Sequence, residues 1–183
     1  MVDVPAMNFL AVDGSGPPDG PDALAAIEAL YGVAYTLKFT VKKGPLAIDY
    51  SVMPLEGLWW ADHMEEFSAE NKALWKWTYM IMQPKWITPE MVQNAVADVK
   101  RKKNPAALSK LAFRPFAEGK AAQILYFGPY SEEGPTIKRL HQFLRAQGMS
   151  FDGVQQKHHE IYMNDPRRTA PEKLKTIIRQ PAV

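Results

Sequence analysis

The chain contains no cysteine. That excludes disulfide staples, thiolate nucleophiles, iron–sulfur clusters and cysteine-ligated zinc, and a reducing cytoplasm is the expected location. Excess charge is missing too: twenty-two Lys and Arg stand against twenty Asp and Glu, a net charge of +2. No strong field draws such a chain onto nucleic acid or an anionic membrane, and neither partner is expected. No uninterrupted apolar run approaches the roughly 18 residues of a membrane span, and MVDVPAMNFLAVDG lacks the basic start and apolar stretch of a signal peptide. The motifs G-x-x-x-x-G-K-[ST], G-x-G-x-x-G and G-x-S-x-G do not occur, which removes phosphate cradles and a serine nucleophile elbow. His158 and His159 fall on opposite faces of an extended segment, and no acid or histidine recurs at zinc-ligand spacing. No metal and no cofactor are expected.

What the chain does have is flat and polarizable bulk. Five Trp, seven Tyr, eight Phe and nine Met occur in 183 residues, a supply for a core or for an adaptable binding surface. That length fits one domain, 1–183, as monomer or homodimer.

The pattern along the chain is α+β. AMNFLAV (6–12) reads as a buried strand and DGSGPPDGPD as a turn leading into a helix. Leu24, Ile27, Leu30, Tyr31, Ala34 and Leu37 recur at helical spacing and predict an apolar stripe, ended by KKGP at 42–45. A strand interrupted near Pro54 and a second, LWKWTYMIMQP, complete a first unit at about 5–83. Thr88, Pro89 and Glu90 open a connecting helix over about 88–103. Its closing KRKK is read as a solvated C-terminus suited to the helix dipole, not a nucleic-acid patch. A second unit, about 108–165, repeats the order: extended KLAFRPFAEG, strand KAAQILYFGPY, a helix from about Pro135 to Gln147, and strand KHHEIYMND. A capping box from Thr169 to Glu172 predicts a C-terminal helix over about 169–180.

Period-two alternation puts His158, Glu160 and Tyr162 on one strand face and His159, Ile161 and Met163 on the other. Spacing alone favours a solvent face for Glu160, since carboxylates are rarely buried unpaired. The adjacent Trp59 and Trp60 point to opposite faces, and the alternation Trp75, Trp77, Tyr79, Ile81 against Lys76, Thr78, Met80, Met82 predicts a strand covered on both sides. Such aromatics suit plain core packing, or a concave wall around one carboxylate that takes flat, apolar or cationic molecules. The two arginines of DPRRTAP are read as pairing with nearby acids.

The segments VDVPAMNFLAVDGSG, AIEALYGVAYTLKF, DYSVMPLEGLWW, KWTYMIMQPKWIT, QILYFGPYSEEGPTIKRLHQF and HHEIYMNDPRRTAPEKLKTIIRQP, in this order, together resemble the stand-alone bacterial GyrI-like proteins. The resemblance implies two strand–helix–strand–strand repeats forming a curved antiparallel sheet, with helices on one face and a ligand groove on the other. It implies that Glu160 sits in an aromatic pocket beside Tyr162, with Trp59, Trp60 and, as a second acid, Glu56 as pocket candidates. Tyr79, Met80, Tyr35 and His158 complete the candidate ligand-binding set, and Tyr126 joins Glu160 and Tyr162 as a candidate catalytic residue by its strand position. No helix-turn-helix is expected before the first strand. Some proteins of this kind hydrolyse the strained cyclopropane of DNA-alkylating natural products, a detoxification; the alternative is a non-catalytic binder that sequesters multiple drugs.

Overall fold

The computed structural model describes residues 1–63 and 67–183. Eight strands form one antiparallel sheet: β1 (Val2–Val4), β2 (Met7–Ser15), β3 (Leu55–Trp60), β4 (Lys76–Gln83), β5 (Ala112–Phe116), β6 (Gly119–Phe127), β7 (His158–Tyr162) and β8 (Lys175–Pro181). Their spatial order is β1-β6-β8-β7-β3-β4-β2-β5. Among the described residues three α-helices accompany them: α1 (Pro21–Lys43), α2 (Pro89–Lys102) and α3 (Gly134–Ala146). The two expected repeats are β2-α1-β3-β4 and β6-α3-β7-β8. Because the strands run β6-β8-β7 and then β3-β4-β2, the halves mirror each other about the β7–β3 seam, as a two-fold axis there requires.

The predicted C-terminal helix is not present. Thr169 to Glu172 leads only into a single 3₁₀ turn, Pro171–Lys173, and the chain then continues as β8. Thr176, Ile177 and Ile178 are β-branched, and this stretch pairs with β6 on one side and β7 on the other. Two ladders and a β-branched run outweigh a local capping signal. The second repeat therefore ends at Pro181 rather than near 165, and β8 supplies its missing strand.

Helix α1 rests on β2 and β4 through Ala23, Ala26, Ala29, Leu30, Val33, Ala34, Leu37 and Val41. Its buried face is richer in alanine than the predicted stripe, and Leu24 is 58% exposed. Small residues let the helix approach a sheet surface already filled by Trp77, Tyr79 and Trp59. By length and composition α1 could cross a membrane; here one side of it packs on the sheet. Helix α2, capped by the Thr88 side chain accepting from Met91 N–H, packs beside α1. Helix α3 covers β6 and β8 with Leu140 and Leu144; Phe143, expected on that face, is exposed. Gly148, with φ +72°, ends it as expected. In the exposed turn after β7, Arg167 pairs with Asp165.

Candidate functional site

Helices α1 and α3 lie over the outer strands of the two repeats and leave the central pair, β3 and β7, between them. Residues directly opposed in neighbouring strands point to the same face. The register thus draws one row across the helix side of the sheet: Val12, Tyr79, Gly57, Glu160, Ile178, Ile124. The ends of the row belong to the cores beneath α1 and α3. Its middle is a glycine next to a carboxylate. A Cβ on Gly57 would come within 2.7 Å of Trp59 Nε1 and 3.0 Å of the Tyr162 hydroxyl, so only glycine leaves room for those groups to meet. They do meet: Trp59 Nε1–H donates to Tyr162 Oη at 3.1 Å.

Glu160 is 15% exposed at its side chain. Its Oε1 is 3.1 Å from His158 Nε2, and His158 Nδ1 is 3.3 Å from Gln180 Oε1, which His141 Nε2 on α3 also reaches at 3.1 Å. Both imidazoles thus meet the Gln180 side-chain amide, and the His158 ring is turned with Nε2 toward Glu160. Burial pushes the Glu160 carboxyl up, but hydrogen bonding and attraction to His158, with Tyr162 and Glu133 close by, outweigh burial and hold it below the usual carboxylate range. Glu133, buried where the chain enters α3, behaves oppositely. Burial and then the neighbouring Glu160 charge push it up to about 9, and its Oε1 is buried without a hydrogen-bond partner among the described residues. One carboxyl is ionised and the other protonated at neutral pH, the usual outcome when two acids share a desolvated space.

Aromatic rings enclose this pair. Trp59 and Tyr79 meet edge to face at 5.4 Å between centroids, and Tyr130 and Tyr162 do so at 5.5 Å. Tyr130 is partly exposed at the mouth, and burial with the nearby Glu160 charge pushes its phenol up to about 12. Burial and Glu160 likewise raise Tyr79 and Tyr162. All three phenols keep their protons at neutral pH.

The expected residues are thus divided. Glu160, Tyr162, Trp59, Tyr79 and His158 come together on the helix face. Trp60, Met80 and Glu56 are on the opposite face of the same strands: Met80 packs against Phe9, Ala11 and Leu58, with Trp60 beside them, and Glu56 pairs with His159. Tyr126 lies two strands from Tyr162, both opposing Thr176, a separation of about 10 Å, and its hydroxyl donates to Pro129 O at 3.1 Å. Tyr35 is 48% exposed on α1, stacked between Tyr31 and Phe39. The expected groove across from the helices therefore does not hold Glu160, whose side chain lies on the helix face, because the odd and even residues of β3 and β7 part to opposite faces. Glu133 and Tyr130 were missed. Their segment, GPYSEEGP, looks like a polar turn, and its one signal is a tyrosine and two acids immediately before a helix start.

A family model described as GyrI-like small molecule binding domain matches residues 1–182. Among solved structures, an uncharacterized conserved protein from Listeria innocua is 40% identical, with a TM-score of 0.92 over 100% of this chain and 90% of that one. A hydrolase from Listeria innocua is 39% identical, with a TM-score of 0.86 and the same coverage. The C-terminal domain of EcmrR shares the fold at 10% identity, with a TM-score of 0.57 over 100% of this chain and 94% of that one. A comparison with curated proteins gives no match.

Proposed function

This chain belongs to the GyrI-like family of small-molecule-binding domains, and from that premise we propose that it is a cytoplasmic hydrolase of flat, electrophilic aromatic compounds, acting on a strained cyclopropane as a detoxification. The observation that carries the proposal is the ionised Glu160 beside the protonated Glu133 under a roof of aromatic rings. The similarity to a hydrolase from Listeria innocua, over nearly the whole length of both chains, supports it.

Hydrolysis adds one water across a cyclopropane fused to a conjugated dienone. The water oxygen bonds to the ring methylene, the strained carbon–carbon bond breaks, and its electron pair passes into the dienone. The carbonyl oxygen then gains a proton as the ring becomes a phenol. In this chain Glu160 accepts the proton that leaves water. His158, Tyr162 and the protonated Glu133 orient that carboxylate. Tyr130, with its proton retained, hydrogen-bonds the carbonyl oxygen as negative charge develops there, and the proton taken up by Glu160 passes through solvent to that oxygen, leaving the phenol and an ionised Glu160. Aromatic walls hold the flat substrate and exclude bulk water, and the ring strain itself favours opening. Orientation is then the larger part of what the protein must add.

The test is to incubate the protein with a cyclopropane-fused dienone and follow the compound by mass spectrometry. The expected result is conversion to a product heavier by one water. A compound that quenches tryptophan fluorescence on binding yet returns unaltered would establish sequestration instead.

A further inference from the structure

The face of the sheet turned away from the helices carries a separate cavity of about 760 Å³. Leu58, Trp60 and Phe116 give it an apolar surface, while Asp13, Arg114 and Lys157 bring charge to it. Leu58 and Trp60 come from the same strand as Trp59, so β3 serves both faces by alternation.

The charges here are unevenly matched. Asp13 is fully engaged: Arg114 donates to it twice, at 2.8 and 2.6 Å, and the Thr78 hydroxyl donates at 2.6 Å. Glu118, also on the lining, is held by His159 and Arg179 at 2.9 Å each. Lys76 is paired with Asp62. Lys157 has no such partner. Its Nζ lies 3.7 Å from the centre of the Trp60 ring, and no carboxylate among the described residues forms an ion pair with it. The approach to Lys157 is also ordered, because Asp152 Oδ1 accepts from the backbone N–H of Val154, Gln155 and Gln156 at 2.8, 2.8 and 3.1 Å. An ammonium over an indole, partly withdrawn from water and without an ion-pair partner among the described residues, is a group that gains from one.

We infer that this cavity is a second ligand site, opposite in sign to the Glu160 site, and that it takes small aromatic carboxylates. The carboxylate sits beside Lys157 Nζ and the ring lies against Leu58, Phe116 and the edge of Trp60. The two sites then sort ligands by charge on the two faces of one strand pair: neutral and cationic aromatics toward Glu160, anionic ones toward Lys157.

Calorimetric titration with naphthalene-2-carboxylate tests this. The wild type should bind one equivalent, and the uncharged carboxamide should bind at least about tenfold more weakly, the loss of one charge-assisted hydrogen bond. Lys157→Gln should weaken the carboxylate by a similar factor with an unchanged circular dichroism spectrum, and Glu160→Gln should leave its affinity unaltered. Absence of binding at millimolar concentration, equal affinity for acid and amide, or loss of binding in Glu160→Gln would each overturn the proposal. The acid–amide comparison uses the wild type alone and stands even if a variant misfolds.

Discussion

A single pair of carboxyls explains why the site has a chemistry of its own. Glu160 and Glu133 meet where water is scarce, and their protonation is split by surroundings rather than by residue type. Turnover should therefore fall as pH rises through about 9, where Glu133 loses its proton and the partner of Glu160 becomes a second negative charge. Glu133→Gln keeps a neutral donor at that position at every pH, so the alkaline limb of the kcat/KM profile should disappear in this variant. A limb that persists unchanged would assign it to another group. The sequence already placed Glu160, Tyr162 and His158 on one strand face and Trp59 and Trp60 on two, because alternation in a strand depends only on chain geometry. It did not reveal Glu133 or Tyr130, which reach the site by a turn whose path is set by tertiary packing, and it drew in Tyr126 by a strand position that lies two strands from Tyr162 and Tyr35 from an exposed helix face.

Among the elements, β7 buries two histidines side by side in sequence, one sent to each face. His158 serves the Glu160 site. His159, almost wholly buried, contacts Glu118 through Nδ1 at 2.9 and 3.0 Å and Glu56 through Nε2 at 2.9 Å. Carboxylates only accept, so both ring nitrogens carry protons and the ring is an imidazolium. Burial pushes the imidazole pKa down, but the hydrogen bonds and charges of Glu118 and Glu56 outweigh it and hold it up. With Arg179 bonded to Glu118 at 2.9 Å, two cations balance two anions and join β3, β7, β8 and the β5–β6 turn. Replacing His159 by Gln leaves the acids undercompensated and should cost roughly 3–5 kcal/mol in urea denaturation at neutral pH. A group with a raised folded pKa contributes below its unfolded value and loses that contribution as pH rises through the folded one. The gap between variant and wild type should therefore narrow as pH rises through the raised folded value of His159, and narrow again at acid pH, where Glu118, held low by His159, takes up its proton. A cost below about 1 kcal/mol at neutral pH would show that the tetrad stabilises little. The strand β8 is the element that sequence patterning mistook for a helix: a capping box is read from four residues, whereas its two ladders come from partners as far back as Ala121, which pairs with Pro181.

At the scale of the whole molecule, duplication produces the site. Each repeat covers its own outer strands with one helix, and joining the halves at β3 and β7 leaves a seam that neither helix covers. At that seam Gly57 provides space and Glu160 provides charge. The fold class and the first repeat could be read from periodicity because their cores are continuous in sequence. The seam could not, since its lining is drawn from both halves. The central claim is that Glu160 acts on water within this seam rather than merely neutralising a bound ligand. The direct measurement is single-turnover conversion of a cyclopropane-fused dienone by the wild type and by Glu160→Gln, both saturated with the compound. The variant should bind the compound and keep its circular dichroism spectrum, while its conversion rate falls by about two orders of magnitude or more. Equal conversion by the two proteins would contradict it.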